Sequence, residues 1–525
     1  MKTMKLAILS TVFCMLATLA SAQQKLTIDK VYKAYLRNSG DIRADNQIKG
    51  YFFFYQSDKI DRKTNEYTLK IVDQNLNPVK DIKFTDSKYV TLLEASYNND
   101  ALAFLFYNDD EKTTEVRIYG LDGKQRSSYV KEIDKKTKSL WTTLIASGMS
   151  ADDNEGGNSY LFDVDKVGFT TVLPLREGKN KTYQVDFYSS EKKSQWSYVP
   201  TDEERWAFPS YLGSTDSLVI LEVLKKPSAL STKFTSDILA LNIHTKKVQY
   251  ELDGEKEQYK IVPMNIVKLR DSRNILIMAS YYDKEDNIVN DASLGIAMYE
   301  VSPAGKIVSK KHNQWTGDLS KYLPINDKGR LDKIGWLYTH KIVQTPTGKF
   351  FAIAEGYKKN ISAGGVALAM LAAAGGGYSN AGLTKMMVTD IVVMEFDSSY
   401  KVKSAKIYDK RDNAVVGGQT SDYASQHALA MMIKNIGGFD YEFTTGDIDY
   451  ETFSFCYSDY EKSKEYKGQT FNAVRYNGEK LTTDKIELAS KANMMRVYPA
   501  KPGFVMILEY FKKDKKLEMR LEKMN

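Results

Sequence analysis

Residues 89–133 read YVTLLEASYNNDALAFLFYNDDEKTTEVRIYGLDGKQRSSYVKEI, and this stretch decides the fold. Apolar and aromatic residues run up to Tyr97, from Ala101 to Tyr107, from Thr114 to Tyr119 and from Ser127 to Ile133, and each run is bounded by Asn, Asp, Gly or Lys. Runs of that length and composition are strands. Asp122-Gly123 offers the positive φ that a tight hairpin needs. Four strands joined by short turns make one small antiparallel sheet, the size of a propeller blade.

The pattern recurs. Hairpins of the same kind lie at Ile71 to Val79, Leu241 to Val248, Tyr299 to Ile307, Phe396 to Val402 and Val474 to Leu481, with Asn, Ser and Gly supplying the turns. A spacing of ~50 to 90 residues suits four-stranded blades with loop insertions. The units fall near 49–84, 88–133, 139–199, 205–251, 259–310, 337–408, 426–488 and 493–523. The last lacks an obvious fourth strand, which Lys25 to Leu36 would supply by latching the first segment onto the last sheet. The expectation is an all-β fold, a β-propeller of about seven to eight antiparallel blades with short helical insertions, filling residues 23–525 as a single domain. Two or three separate β-sandwiches are the competing architecture; the absence of a long Pro- or Gly-rich linker argues against them.

Two insertions interrupt the repeats. Ser421 to Ile436 reads as a helix, with Ser421 as N-cap, with Leu429, Met432, Ile433 and Ile436 on one face, and with Gly437-Gly438 as the stop. Val366 to Ala374 is a nine-residue apolar run between Ser362-Ala363-Gly364-Gly365 and Gly375-Gly376-Gly377. It is too short to span a bilayer. It reads either as a short helix folded onto the sheets or as an apolar finger that contacts a partner or a membrane surface.

The N-terminus has the layout of a secretory signal: Lys2 and Lys5, an apolar run from Leu6 to Ala20, and the small-residue site Ala20-Ser21-Ala22. Cleavage is expected between Ala22 and Gln23, which gives a signal peptide over 1–22 and an exported mature chain, periplasmic, cell-surface or secreted. Cys14 would leave with the signal; it also lacks the preceding small residue of a lipidation site. The mature chain then keeps Cys456 alone, in the aromatic strand Phe453 to Tyr457, so no internal disulfide forms and stability rests on core burial. A chain of 525 residues with 42% hydrophobic content has ample core. The formal charge of +7 becomes +5 without Lys2 and Lys5 (72 basic against 67 acidic), and the lysines are scattered in pairs such as Lys246-Lys247 and Lys310-Lys311. Nucleic-acid binding, which needs a basic stripe, is therefore not expected.

Catalytic signatures are missing. His244, His312, His340 and His427 are far apart in sequence, with no paired spacing for a helical zinc site. His244 falls in a hairpin turn and His427 in the predicted helix, where solvated or capping roles are expected. Gly377-Tyr378-Ser379-Asn380-Ala381 has Ala where a nucleophile elbow needs its second Gly. The glycine clusters lack the spacing of a phosphate or dinucleotide loop. Asp109-Asp110-Glu111, Asp152-Asp153-Asn154-Glu155 and Asp447-x-Asp449 lack the spacing of a calcium loop and read as solvated turns. No catalytic residue, cofactor-binding residue or metal ligand is assigned.

The signal peptide, the Gln23-Gln24 mature start and the hairpin units together resemble the large exported proteins of unknown function of Gram-negative bacteria, many of them propeller-like. The resemblance implies a setting in the periplasm or at the cell surface and carries over no functional residue. Two functions remain from different classes. One is a non-catalytic binding or scaffold protein of the cell envelope, whose loops on a rigid scaffold contact a protein, peptide or glycan. The other is a glycan- or peptide-acting hydrolase with carboxylates converging on the propeller axis, an argument from fold analogy.

Overall fold

A computed structural model of the chain describes residues 24–44, 47–137, 140–141, 160–177, 180–191, 194–201, 206–228, 230–254, 256–361, 384–415, 425–447 and 449–524. Within them the fold is all-β, an eight-bladed β-propeller of antiparallel sheets with one short helix. The signal peptide with its Ala22/Gln23 junction, the apolar insertion 366–374 and the Ser379 stretch lie outside the described residues. The chain forms two compact units, one drawn from Met1–Ala44, Ile48–Ser87 and Ser490–Asn525, the other from Asp45–Gln47 and Lys88–Ala489.

The first unit holds two sheets. In blade 1, Lys33–Ala34, Gln47–Lys59, Thr64–Asp73 and Pro78–Ser87 follow one another, and Gly40–Ala44 adds to the long second strand. In blade 8, Met494–Pro499, Phe504–Phe511 and Lys516–Lys523 are completed by Lys25–Ile28, which pairs antiparallel with the last strand from Lys25 opposite Arg520 to Ile28 opposite Leu517. Tyr51, Phe53, Met506, Leu508 and Met519 share one core there.

The second unit carries blades 2 to 7, spanning 90–132, 161–198, 206–253, 260–314, 336–408 and 441–488. Each has four consecutive strands in sequence order, and the short strand Asn413–Val415 adds to blade 6. Second strands such as Ala101–Asn108 are buried on both faces, because sheet packs on sheet, whereas third strands such as Thr113–Gly120 and Lys516–Lys523 alternate buried and half-buried residues. Ile220 and Ile277 meet in a core shared by blades 4 and 5, Met278 and Met394 in one shared by blades 5 and 6, and Phe351 and Phe455 in one shared by blades 6 and 7.

Turn chemistry departs from expectation in one respect. Gly123, Gly305 and Gly478 do adopt positive φ in the hairpins before the fourth strands. At the matching turns of blades 1, 4 and 6, however, Leu76, Lys246 and Tyr400 do so instead (φ 64°, 61° and 63°). The turn is held by the residue that opens it. Asp73 Oδ1 accepts from Asn75 and Asn77 N–H, Asn242 Oδ1 from His244 and Thr245 N–H, and Asp397 Oδ1 from Ser399 and Lys401 N–H. Such side-chain-closed turns tolerate a left-handed residue that glycine would otherwise occupy.

Buried amides tie neighbouring blades. Asn313 of blade 5 is 0% exposed; its Nδ2 donates to Tyr400 O and its Oδ1 accepts from Val402 N–H of blade 6, both at 3.0 Å. Asn98 of blade 2 likewise donates to Gly168 O and Ser190 Oγ of blade 3. Asn313→Ala strands two buried backbone groups, and a loss of about 2 kcal/mol is expected from urea unfolding.

Helix α1 (Gln426–Asn435) is shorter than predicted at its start. Its N-cap is Ser425, whose Oγ accepts from Ala428 N–H, not Ser421, which lies outside the described residues. The stop is as predicted: Gly437 has φ 62°, its N–H donates to Lys434 O, and Gly438 N–H donates to Ile433 O. That is a glycine-terminated C-cap of the Schellman type. Leu429, Ala430 and Ile433 pack against Tyr357, Met386 and Val388 of blade 6. Ile436 is 43% exposed, so it leaves the predicted apolar face, because it is the C-cap residue at which the helical periodicity ends. Among the described residues no helix is long and apolar enough to cross a membrane.

Candidate functional site

The first strand of five blades in the second unit carries a one-residue bulge, four residues before the strand's end in blades 2, 5, 6 and 7 and two before it in blade 4. The inserted residues are Leu93, Leu212, Met264, His340 and Glu442. A bulge leaves its extra residue outside the ladder and re-aims the side chain. In blade 6 that side chain is a histidine. The second strand bulges too, at Gly356 between Glu355 and Tyr357. Only glycine fits there, since a Cβ would lie 2.2 Å from Thr389 Oγ1 and 2.3 Å from Ile334 Cγ2.

These two irregularities bring His340 Nε2 to 3.1 Å from Glu355 Oε2. Glu355 is 0% exposed and also accepts from the backbone N–H groups of Asp440 and Tyr441, which open blade 7. Lys410, beyond the fourth strand of blade 6, lies 3.2 Å from Glu355 Oε1 and 2.5 Å from Asp440 Oδ2. Asn413 Nδ2 donates to Asp440 Oδ1 at 2.8 Å. Rings close over the histidine: Tyr441 stacks on it at 4.5 Å, and Tyr338 and Phe439 meet it edge-on at 5.0 and 4.9 Å.

Charge in this cluster follows from burial and pairing. Burial disfavours an ionised Glu355, but His340, Lys410 and the two backbone donors outweigh it and hold its pKa below the usual range. Burial also pulls Lys410 down, and the two carboxylates more than offset that. Asp440 is pushed up to about 7, by burial first and by Glu355 among the other causes. His340 is lowered by burial and stays neutral. Near neutral pH Glu355 and Lys410 cancel, and Asp440 sets the net charge.

A second group faces the same helix. Glu222, in the second strand of blade 4, is 3% exposed, accepts from Ser236 Oγ at 3.1 Å, and is pushed up to about 7 by burial. His427 of α1 is half-buried, and burial pulls it down to about 4. Lys434, in the last turn of α1, acts electrostatically on Glu222, His340 and His427, and its ammonium stands 5.9 Å from the Tyr338 ring.

The other histidines take no part. His244 is in an exposed turn, and His312 pairs with Tyr299 Oη at 3.1 Å among Tyr259 and Tyr281. Cys456 is buried, and burial drives its thiol pKa up, so it packs as a small apolar residue. Asp447 closes a turn by accepting from Glu451 and Thr452 N–H, and Asp449 pairs with Arg270. Among the described residues no cluster of His, Cys, Asp and Glu could hold a metal ion.

Sequence similarity covers the whole length. Residues 1–525 match DUF6770, a family of unknown function. The chain belongs to this family. No curated protein matches this DUF6770 chain. Among solved structures, a post-proline cleaving enzyme from Rickettsia typhi is 10% identical over 90% of this chain and 57% of its own, with a TM-score of 0.37. The β-propeller domain of the trilobed protease from Pyrococcus furiosus is 9% identical over 76% of this chain and 99% of its own, at 0.30. Synechocystis apocarotenoid oxygenase is 7% identical at 0.27, and the DUF6770 chain spans 58% of its length. At those identities and scores the likeness assigns neither activity nor ligand.

Proposed function

We propose that this DUF6770 chain is an exported, non-catalytic binding protein of the cell envelope that holds a protein or peptide ligand against the aromatic and charged side chains beside α1. What supports the reading is the state of the carboxylates beside His340: Glu355 and Asp440 are clamped by Lys410, and Glu355 is saturated by His340 and two backbone N–H groups. A catalytic carboxylate needs a free oxygen and access to substrate; Glu355 has neither. Beside it Tyr338, His427 and Lys434 offer a ring, an imidazole and an ammonium, the mix of apolar and polar groups that lines binding sites.

Capture from an envelope extract tests the proposal. Wild-type protein should retain a specific partner, and Tyr338→Ala with His427→Ala should reduce retention at least ten-fold. Equal retention by the double variant, or none by wild type, counts against it. One observation favours the hydrolase reading: the Glu355 and Asp440 pKa values are driven apart, as in acid–base pairs. Turnover of a peptide or glycan library that vanishes in Glu355→Gln and Asp440→Asn would favour that reading over binding.

A further inference from the structure

Six carboxylates are buried among the described residues: Glu94, Asp186, Glu222, Asp237, Glu355 and Glu509. Five are compensated. Lys131 pairs with Asp186, Lys225 with Asp237, Lys410 with Glu355 and Arg520 with Glu509, while Glu94 accepts from the backbone N–H groups of Tyr160 and Leu161. Glu222 alone has a single neutral donor, Ser236 Oγ. A carboxylate has about four acceptor sites, so most of its capacity is unused.

The blades themselves supply the comparison. Glu222 stands opposite Ser210 and Glu355 opposite Tyr338, each at the same distance from its blade's bulge. Counted from the hairpin turn, Glu222 lies three residues beyond Val219 and Glu355 five beyond Phe350, because the bulge of blade 4 sits two residues nearer its turn. In blade 6 the bulge residue is His340 and Lys410 follows the fourth strand; in blade 4 the bulge residue is Leu212. Among the described residues no Lys or Arg forms an ion pair with Glu222, whose one hydrogen-bond donor is Ser236.

The wall near Glu222 is aromatic. Tyr282, which feels the Glu222 charge, packs with Leu224 and Phe234, and Phe234 meets Phe208 at 6.4 Å. That wall already accommodates an ammonium: Lys226 Nζ lies 5.3 Å from the Trp206 and Phe234 ring centroids and 5.8 Å from that of Phe208. Ring faces and a protected carboxylate are the chemistry that recognises organic cations. A divalent metal fits poorly, since calcium takes six to eight oxygen ligands and Glu222 has one hydroxyl beside it.

We infer that Glu222 anchors a subsite for a basic group, the ammonium or guanidinium of a peptide ligand, which would serve this carboxylate as Lys410 serves Glu355. The inference rests on the binding reading above and narrows its ligand. Lys434 of α1 is the built-in competitor, a cation already within electrostatic reach of Glu222.

Isothermal titration of the full chain with N-acetyl-lysine amide, using N-acetyl-norleucine amide as the uncharged control, tests it. The lysine probe should bind and the norleucine probe should not; Glu222→Gln should weaken lysine binding at least ten-fold, and Lys434→Ala should strengthen it several-fold. Circular dichroism checks that Glu222→Gln, isosteric with the neutral acid, is folded, and Glu222→Asp should bind with intermediate affinity. Undiminished binding by folded Glu222→Gln, or no lysine binding by wild type, overturns the subsite. Partner capture separates the two proposals: an envelope partner retained equally by wild type and Glu222→Gln sinks the subsite and leaves the binding reading standing. Lysine binding without any captured partner does the reverse.

Discussion

Lys410→Met will destabilise the fold by about 3–5 kcal/mol, because it leaves Glu355 buried and ionised without its cation. The lysine side chain is fully buried, as is Glu355, so water cannot replace the lost ion pair. The cluster also joins two sheets: Glu355 belongs to blade 6, and Asp440 and Tyr441, which it holds through their backbone N–H groups, open blade 7. Unfolding by urea, followed by intrinsic fluorescence, should show an earlier midpoint. Adding Glu355→Gln to Lys410→Met should recover a good part of the loss, since the unpaired charge is then gone. A single-variant shift below ~1 kcal/mol would mean that the cluster is solvated and that its ion pairs act as surface pairs do.

Glu222→Gln acts in the opposite direction, and its effect depends on pH. Burial raises the pKa of Glu222 from the ordinary 4.5 to about 7 in the folded state. The native state therefore binds more protons than the unfolded state between these values, and stability falls as pH rises through that window. Below about pH 4 the carboxyl is neutral in both states and contributes nothing; above about pH 8 the penalty is complete, on the order of 3 kcal/mol. Glutamine removes it. The variant should be more stable than wild type at pH 8.5 and equal to it at pH 4, a crossover that urea titrations at the two pH values would reveal. Equal stability at both would show that Glu222 is not held in a desolvated place.

Much of the architecture was legible in the sequence because blades advertise themselves locally. Each run such as Ala101 to Tyr107 becomes a strand, and each polar stretch such as Leu121 to Lys124 becomes a hairpin turn. Burial on both faces produces continuous apolar runs with clear ends, so the eight units fall close to their predicted places. The turn residues were less legible. Leu76, Lys246 and Tyr400 hold left-handed backbone that composition assigns to Gly, Asn or Ser, and the cause lies in backbone N–H groups donating to the side-chain oxygen of the Asp or Asn that opens the turn.

The buried charges escaped the sequence reading almost entirely. His340, Glu355, Lys410 and Asp440 are spread over a hundred residues and meet through two bulges and a blade junction, none of which leaves a fixed spacing. One signal was available. A lone carboxylate inside an apolar run, as in Leu218 to Leu224 or Phe350 to Tyr357, must be compensated in space, and those runs contain Glu222 and Glu355. What the compensating group is depends on tertiary structure.

The pairing of Lys25–Ile28 with Lys516–Lys523 has a kinetic consequence. Lys25–Ile28 must wait for Lys516–Lys523, with the strands of the other blades lying between them in sequence, and contacts so distant along the chain are slow to find. Until the final residues arrive, Lys516–Lys523 and its neighbours present one hydrogen-bonding edge without a mate, a transient hazard for self-association. Deleting the first strand would make that hazard permanent.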